Sequence, residues 1–509
     1  MGSAYSGPNT RGTSMPRNRP GGYAGVVSHQ YIALTPEARS TALAQALKAL
    51  ETEFGVRSEF PAEVLEEAER AIADFELPPI DKREIELVTI DPASSTDLDQ
   101  ALHLSRSGGG YLVHYAIADV PGFVALGGIL DAETRLRGQT VYLPHRRISL
   151  HPESISEDAG SLLPNRDRSA YLWTFTLDAE GAVTDTGLQR AIVRSREKLS
   201  YVGVQGSLNA GTATEMLQLL REIGLKRIEL ERARGGASLR IPSQEVECID
   251  GTYEIVSDAP LPVEDWNAQI SLMTGMEAAR IMLEAKVGLL RTMPAPAQKD
   301  INIFRLQAKA LGTTWEPTQP YGEFLRSLDL ADPRQLALMH QATSLFRGAT
   351  YTAIDGELPP DTVQAAIAAP YAHTTAPLRR LVDRFALLVC SYAVTGQEVP
   401  RGLREVLPTL PELMNDSNRV VNKIERAAID TVEAASLAHR VGERFRAVTL
   451  TGSEESSNGN HRSLGTLQLE SPAVMAPFEG SAQAGVQVEV ELVHADLASR
   501  KVLFRIVGA

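Results

Sequence analysis

Leu43, Leu47, Leu50 and Phe54 repeat at helical spacing within TPEARSTALAQALKALETEFG, which predicts an amphipathic helix. Thr35 suits its N-cap, Pro36 its first helical position, and Gly55 its stop. A second helix is expected from Pro61 in FPAEVLEEAERAIADF. The Gly-containing turn between the two leaves two readings open: a helix-turn-helix unit, or a helical cap on the next domain. The hydrophobic pattern then changes. IELVTI, YLVHYAIADV, TVYLP and AYLWTFTLDAEGAV predict strands, the last with a Glu-Gly turn typical of hairpins. Helical periodicity takes over in TEMLQLLREIGLKRIELERAR and QISLMTGMEAARIMLEAK, and again from residue 376 to about 440.

In the last seventy or so residues the pattern returns to short strands. RFRAVTL, LGTLQLE, VQVEVELVHAD and KVLFRIV are separated by Gly- and Ser-rich turns, and TGSEESSNGNHRS reads as a surface loop. Val486, Val488, Val490 and Leu492 alternate with Gln487, Glu489 and Glu491, so one face should be buried and the other wet. About five strands in this length suit a small barrel of the OB type. The fold class is therefore α+β and multidomain: a disordered tail over 1–29, a helical region over 30–79, a mixed catalytic-sized domain over 80–440 and a β-barrel over 441–509.

Composition narrows the function classes only a little. Hydrophobic residues are 43% and charged residues 22%, as in a water-soluble globular chain, and no apolar run is long enough to span a bilayer. Cys248 and Cys390 alone support neither a disulfide framework nor a cysteine zinc site, so a reducing cytoplasm is expected. A net charge of −14 argues against a surface that coats nucleic acid all over, and leaves room for a local basic groove.

Two segments carry candidate chemistry. TIDPASSTDLDQAL sets Asp91, Asp97 and Asp99 within one turn-rich stretch. Crowded carboxylates repel, so a positive partner is implied. Magnesium takes oxygen ligands, commonly one or two carboxylates with phosphate oxygens and water. Such a site polarises a phosphodiester and generates hydroxide near neutral pH. A solvated acidic turn is the competing reading, and a helix–loop–helix calcium site fits poorly because its Gly and terminal Glu are missing. Far downstream, PYAHTTAPLRRLVDRF places His373, two threonines and Pro377 ahead of Arg379 and Arg380. Arginine forks suit phosphate, and Pro377 is expected to open the helix carrying both arginines. A solvated basic helix face is the alternative there.

Together the two segments resemble the ribonuclease II and ribonuclease R family of hydrolytic exoribonucleases, whose catalytic unit is the RNB domain. The family pattern of Ile-Asp, a spacer and Asp-x-Asp-Asp-Ala reads IDPASSTDLDQAL here, and its Thr-Ser-Pro-Ile-Arg-Arg/Lys segment reads TAPLRR. YAIADV, GQTVYLPHRRISLHPESIS, SLLPNRDRSAY and REKLSYVGV look like intermediate blocks in the same order. NKIERAAIDTVEAASL followed by RVGERFRAVTLTG looks like the exit helix entering an RNA-binding barrel. The resemblance implies that Asp91, Asp97 and Asp99 surround Mg2+, with Mn2+ able to substitute, and that Asp99 is closest to catalysis. It further implies that Arg379, assisted by Arg380, contacts the scissile phosphate and that Tyr142 stacks on the terminal base. Such stacking tolerates any base. His373 reads as a packing or hydrogen-bonding residue.

The chain departs from the family pattern in places. Gln100 stands where the family has a fourth aspartate; its carbonyl can ligate magnesium but adds no charge. Ala376 replaces the serine of the arginine segment. The family's two cold-shock domains are matched here by a tail and helices, which suggests a more open entrance, able to take structured RNA with a 3′ overhang. The resemblance implies a Mg2+-dependent, processive, monomeric 3′→5′ exoribonuclease that hydrolyses single-stranded RNA to nucleoside 5′-monophosphates. Two further readings stay open: an RNA-binding regulator whose site Gln100 has disabled, and an acidic scaffold protein.

Overall fold

The computed structural model describes residues 32–34, 41–237, 243–249, 252–258, 260–330, 332–453, 464–472 and 474–508. The tail over 1–29, the Thr35–Pro36 helix start and most of the TGSEESSNGNHRS loop lie outside the described residues. Among the described residues no helix is long and apolar enough to cross a membrane.

Helix α1 (Ala42–Glu53) ends at Phe54, and Gly55 takes the positive φ of 64° that lets the chain turn away. Its leucine stripe is buried with Val421, Ile424 and Ala428 of a long helix near the C-terminus. Helix α2 (Ala62–Ala73) packs instead on α3 (Ile129–Arg137), so the two N-terminal helices cap different parts of the next domain.

That domain is built around a closed barrel of β1 (Leu87–Asp91), β2 (Gln100–Ser107), β3 (Gly110–Ala118), β4 (Asp167–Leu177) and β5 (Val183–Ser200), in that order. The first four neighbour pairs are antiparallel. Closure comes from a parallel pairing of β1 with β5, which sets Asp91 opposite Ser200. The expected Glu-Gly hairpin joins β4 to β5. Gly181 supplies φ 82°, and Asp178 Oδ1 accepts from the backbone of Glu180 and Ala182. Alternate residues of β3 serve two cores. Tyr111, Val113, Tyr115 and Ile117 join a cluster with Ile270 and Met273 of α4 (Pro262–Ala285), and Ala116 and Ala118 join Val64 and Phe123.

Helix α5 (Leu381–Val394) begins four residues later than Pro377. The expectation that Arg379 and Arg380 lie on that helix is therefore corrected. Thr140 N–H donates to Arg379 O, Leu381 N–H donates to Gly138 O, and Arg380 is extended at φ −142°. These pairings hold Arg379 in the turn ahead of the helix and Arg380 at its N-cap, beside residues 138–140.

Helix α6 (Leu410–Leu437) leads into a second closed barrel: β6 (Arg444–Thr451), β7 (Gly465–Leu469), β8 (Met475–Glu479), β9 (Gln487–Asp496) and β10 (Lys501–Gly508). The order β6-β7-β8-β10-β9, with β8 and β10 parallel, is a five-stranded OB-type closure. Val488, Val490 and Leu492 are buried as the alternation requires; Val486 precedes the strand and is exposed. A helical segment from Gln298 to Leu345 packs Phe304, Trp315 and Phe324 together with Val448 and Leu450 of this barrel. At that junction Gly485, with φ 82°, comes so near Ala310 that a Cβ would lie 1.9 Å from the Ala310 carbonyl oxygen.

Glu433 of α6 is buried beside the same barrel. Burial, and then Asp430, push its carboxyl from 4.5 to about 8, against the pull of Arg426 and the Met475 backbone. A raised carboxyl pKa means the folded chain holds a proton that the unfolded chain has lost. Stability therefore falls as pH rises from 4.5 through about 8. Glu433→Gln removes this loss, so its melting temperature should gain on the wild type across that window and stay level above it, as read by scanning calorimetry.

Candidate nucleic-acid cleavage site

The acids sit at one rim of the catalytic barrel because β1 ends at Asp91 and β2 starts at Gln100. The connecting loop is pinned from several sides. Lys198, near the end of β5, donates to Ala93 O at 2.7 Å and Ser95 O at 2.5 Å. Ser161 Oγ accepts from Leu98 N at 2.9 Å and donates to Thr96 O at 2.6 Å. The acidic turn is thus a held loop, exposed at Ala93 and Ser94 but half-buried at Asp91 and Asp97 and buried at Asp99.

Asp99 is the most deeply placed acid, 3% exposed. Its Oδ1 accepts from Leu378 N at 2.8 Å, and its Oδ2 has no hydrogen-bond partner, with Arg379 Nε 3.5 Å away. Burial and the neighbouring Asp97 drive the Asp99 pKa well up, against the pull of Arg379. Asp91 keeps some solvent contact, yet burial raises its pKa to about 7, again opposed by Arg379. Arg379 is itself enclosed. Burial works against its charge, but Tyr142 and all three aspartates hold its pKa above the ordinary arginine value. Two distant segments therefore meet in one cluster.

Tyr142 lies on a two-residue ribbon, Val141–Tyr142 paired with Arg147–Ile148, and its hydroxyl is 3.5 Å from Asp97 Oδ2. Burial, then Asp97, raise its pKa beyond the usual phenol range. The ribbon is buttressed by α1, whose Glu51 takes His145 Nε2 at 2.9 Å and Arg146 Nε at 2.8 Å. Neither Glu51 nor Arg147, which bonds Asp97 Oδ1 at 2.7 Å, was singled out from the sequence. Only the ribbon register, Tyr142 opposite Arg147, reveals the second.

Two expected site residues face elsewhere. Arg380 forms a two-point ion pair with Asp383, at 2.5 and 2.8 Å, and lies toward Tyr351 and Tyr371. It does not join Arg379 at the acids. Gln100, expected as a metal ligand, is committed on both sides: its Nε2 donates to Thr375 O at 2.5 Å and its Oε1 accepts from Tyr115 OH at 2.8 Å. The amide serves as a strut between the acidic loop and the arginine segment. His373 is half-buried and bonded to the Tyr351 hydroxyl at 2.8 Å, as a hydrogen-bonding residue should be.

The donor chemistry of Asp91, Asp97 and Asp99 fits a hard divalent cation, and Asp99 Oδ2, buried without a hydrogen bond, is a desolvated acceptor that such an ion would satisfy. Among the described residues the three do not already converge as a coordination group, since Asp97 is drawn toward Arg147.

Comparison with known proteins identifies the family and the fold. The chain matches the RNB domain over residues 80–389 and the RNase II-type exonuclease C-terminal S1 domain over 443–507. It belongs to the RNB-domain family, the ribonuclease II and R group. It is 29% identical over 372 residues to the exosome complex exonuclease RRP44 homolog A of Arabidopsis thaliana, covering 69% of this chain and 39% of that protein. It is 25% identical over 426 residues to ribonuclease R of Chlamydia muridarum, covering 80% and 60%. The chain therefore spans less than two thirds of either relative. In fold it is similar to the apo form of Mycoplasma genitalium RNase R, with a TM-score of 0.77, 17% identity and coverage of 94% and 85%.

The Gln100 strut can be tested directly. Glu in its place would set an oxygen against the Thr375 carbonyl and bury a charge. Gln100→Glu should lose about 1–3 kcal/mol in chemical denaturation, whereas a true ligand position would gain metal affinity from the added carboxylate.

Proposed function

We propose that this protein is a divalent-metal-dependent, processive 3′→5′ exoribonuclease that shortens single-stranded RNA, including structured RNA with a 3′ overhang, to nucleoside 5′-monophosphates. The observation that carries the reading is the meeting of the three acids with Arg379 beside Tyr142, 3.5 Å separating Arg379 Nε from the buried Asp99 Oδ2. Family membership and the C-terminal S1 domain support it.

Asp91, Asp97 and Asp99 would hold the cation, magnesium or manganese, which when bound polarises the phosphodiester and activates water near neutral pH. The chain's own groups do the rest. Leu378 N–H fixes the orientation of the Asp99 carboxylate. Arg379, kept charged by its surroundings, presents a guanidinium to the phosphoryl oxygens as negative charge develops on them. The Tyr142 ring offers a stacking surface that takes any base. The barrel after α6 captures the strand, and enclosure of the acids strengthens each of these electrostatic contacts.

A 3′-labelled oligoribonucleotide with magnesium provides the test. Release of 5′-monophosphates is expected, and Asp99→Asn should slow it by at least about a hundredfold while the RNA dissociation constant stays nearly unchanged. Tight RNA binding without release would overturn the enzyme in favour of an RNA-binding regulator. Neither binding nor release would leave the acidic scaffold.

A further inference from the structure

Asp97 differs from the other two acids in having a full guanidinium partner. Arg147 Nη1 donates to Asp97 Oδ1 at 2.7 Å, while the Tyr142 hydroxyl faces Oδ2 at 3.5 Å. Both carboxylate oxygens thus face side chains of the ribbon. Arg147 also has a second carboxylate within reach. Its Nη2 pairs with Glu157 and donates to Thr96 Oγ1 at 2.5 Å, and Thr96 Oγ1 donates to Glu157 Oε2 at 2.6 Å. One guanidinium is shared between an acid of the cleavage site and an acid outside it.

We propose that Arg147 competes with the divalent cation for Asp97 and so sets the metal affinity of this site, with Glu157 as the carboxylate that receives Arg147 when Asp97 is released. The inference rests on the metal reading given above. A guanidinium and a doubly charged ion cannot share the same carboxylate lone pairs, and at a few ångströms they repel strongly. A cation that takes Oδ1 must displace Arg147 from it, and one that takes only Oδ2 must sit beside the Arg147 charge. Stranding an enclosed arginine would cost heavily, but Arg147 keeps a partner throughout because Glu157 already holds its other nitrogen. Burial disfavours its charge, and Asp97 and Glu157 together keep it charged, so it does not leave by losing its proton. Thr96 couples the two acids, since its hydroxyl touches both Arg147 and Glu157 and its backbone lies next to Asp97.

The arrangement predicts opposite effects from the two partners. Mn2+ binding to the full chain without RNA is measured by loss of the free-ion electron paramagnetic resonance signal. Arg147→Gln should bind Mn2+ about tenfold more tightly than wild type, and Glu157→Gln about tenfold more weakly because Arg147 then rests wholly on Asp97. The double variant should match Arg147→Gln alone. Unchanged or weaker binding by Arg147→Gln overturns the inference. So does a double variant in which Glu157→Gln still weakens binding, because Glu157 would then act on the ion through space. If wild type binds Mn2+ and the series is flat, only the competition fails. If none of the four proteins binds Mn2+, the metal reading fails with it.

Discussion

Three carboxylates enclosed at one barrel rim are the constraint around which the surrounding structure is arranged. Removing them from water costs several kcal/mol each unless positive charge comes with them. The chain supplies that charge from three directions. Arg379 comes from a distant segment, tied in place where Leu378, 279 positions from Asp99, donates to it. Lys198 reaches back from the closing strand of the barrel, and Arg147 reaches across from the Tyr142 ribbon. The parallel pairing of β1 with β5 is what brings Lys198 to the acidic loop. Barrel closure and site electrostatics are one problem with one solution.

Even so, the compensation is incomplete. Asp91 and Asp99 both sit at raised pKa, and Asp99 Oδ2 lacks a hydrogen bond. A folded chain that tolerates such groups trades stability for reactivity. The neutral parts of the site limit the cost. Gln100 bridges Thr375 and Tyr115 without adding charge, and Ser271 continues the bridge through the Tyr115 hydroxyl at 2.6 Å. The N-terminal region contributes as well, since Glu51 of α1 fixes the ribbon that carries Tyr142 and Arg147.

Much of this architecture was legible in the sequence. The alternation of β9, the Glu-Gly hairpin and the leucine stripe of α1 follow local periodicity, which survives in any tertiary setting. Asp91, Asp97, Asp99 and Arg379 were readable as a set because two ordered motifs carry them. What was not legible depends on pairing between distant segments. The two arginines were expected on a helix, and backbone bonds to residues 138–140 override that local preference. The turn from Gln100 as ligand to Gln100 as strut depends on Thr375, far away in sequence. Arg147 carries no spacing signal at all, since a two-residue ribbon leaves no periodicity to detect.

The near contact of Gly485 with Ala310 bears on how the terminal barrel is seated. There is no room for even a methyl group at that seam, and Val448 and Leu450 share an apolar core with the helices opposite. Any side chain at position 485 would therefore act as a wedge, prising the last barrel from the helices it leans on.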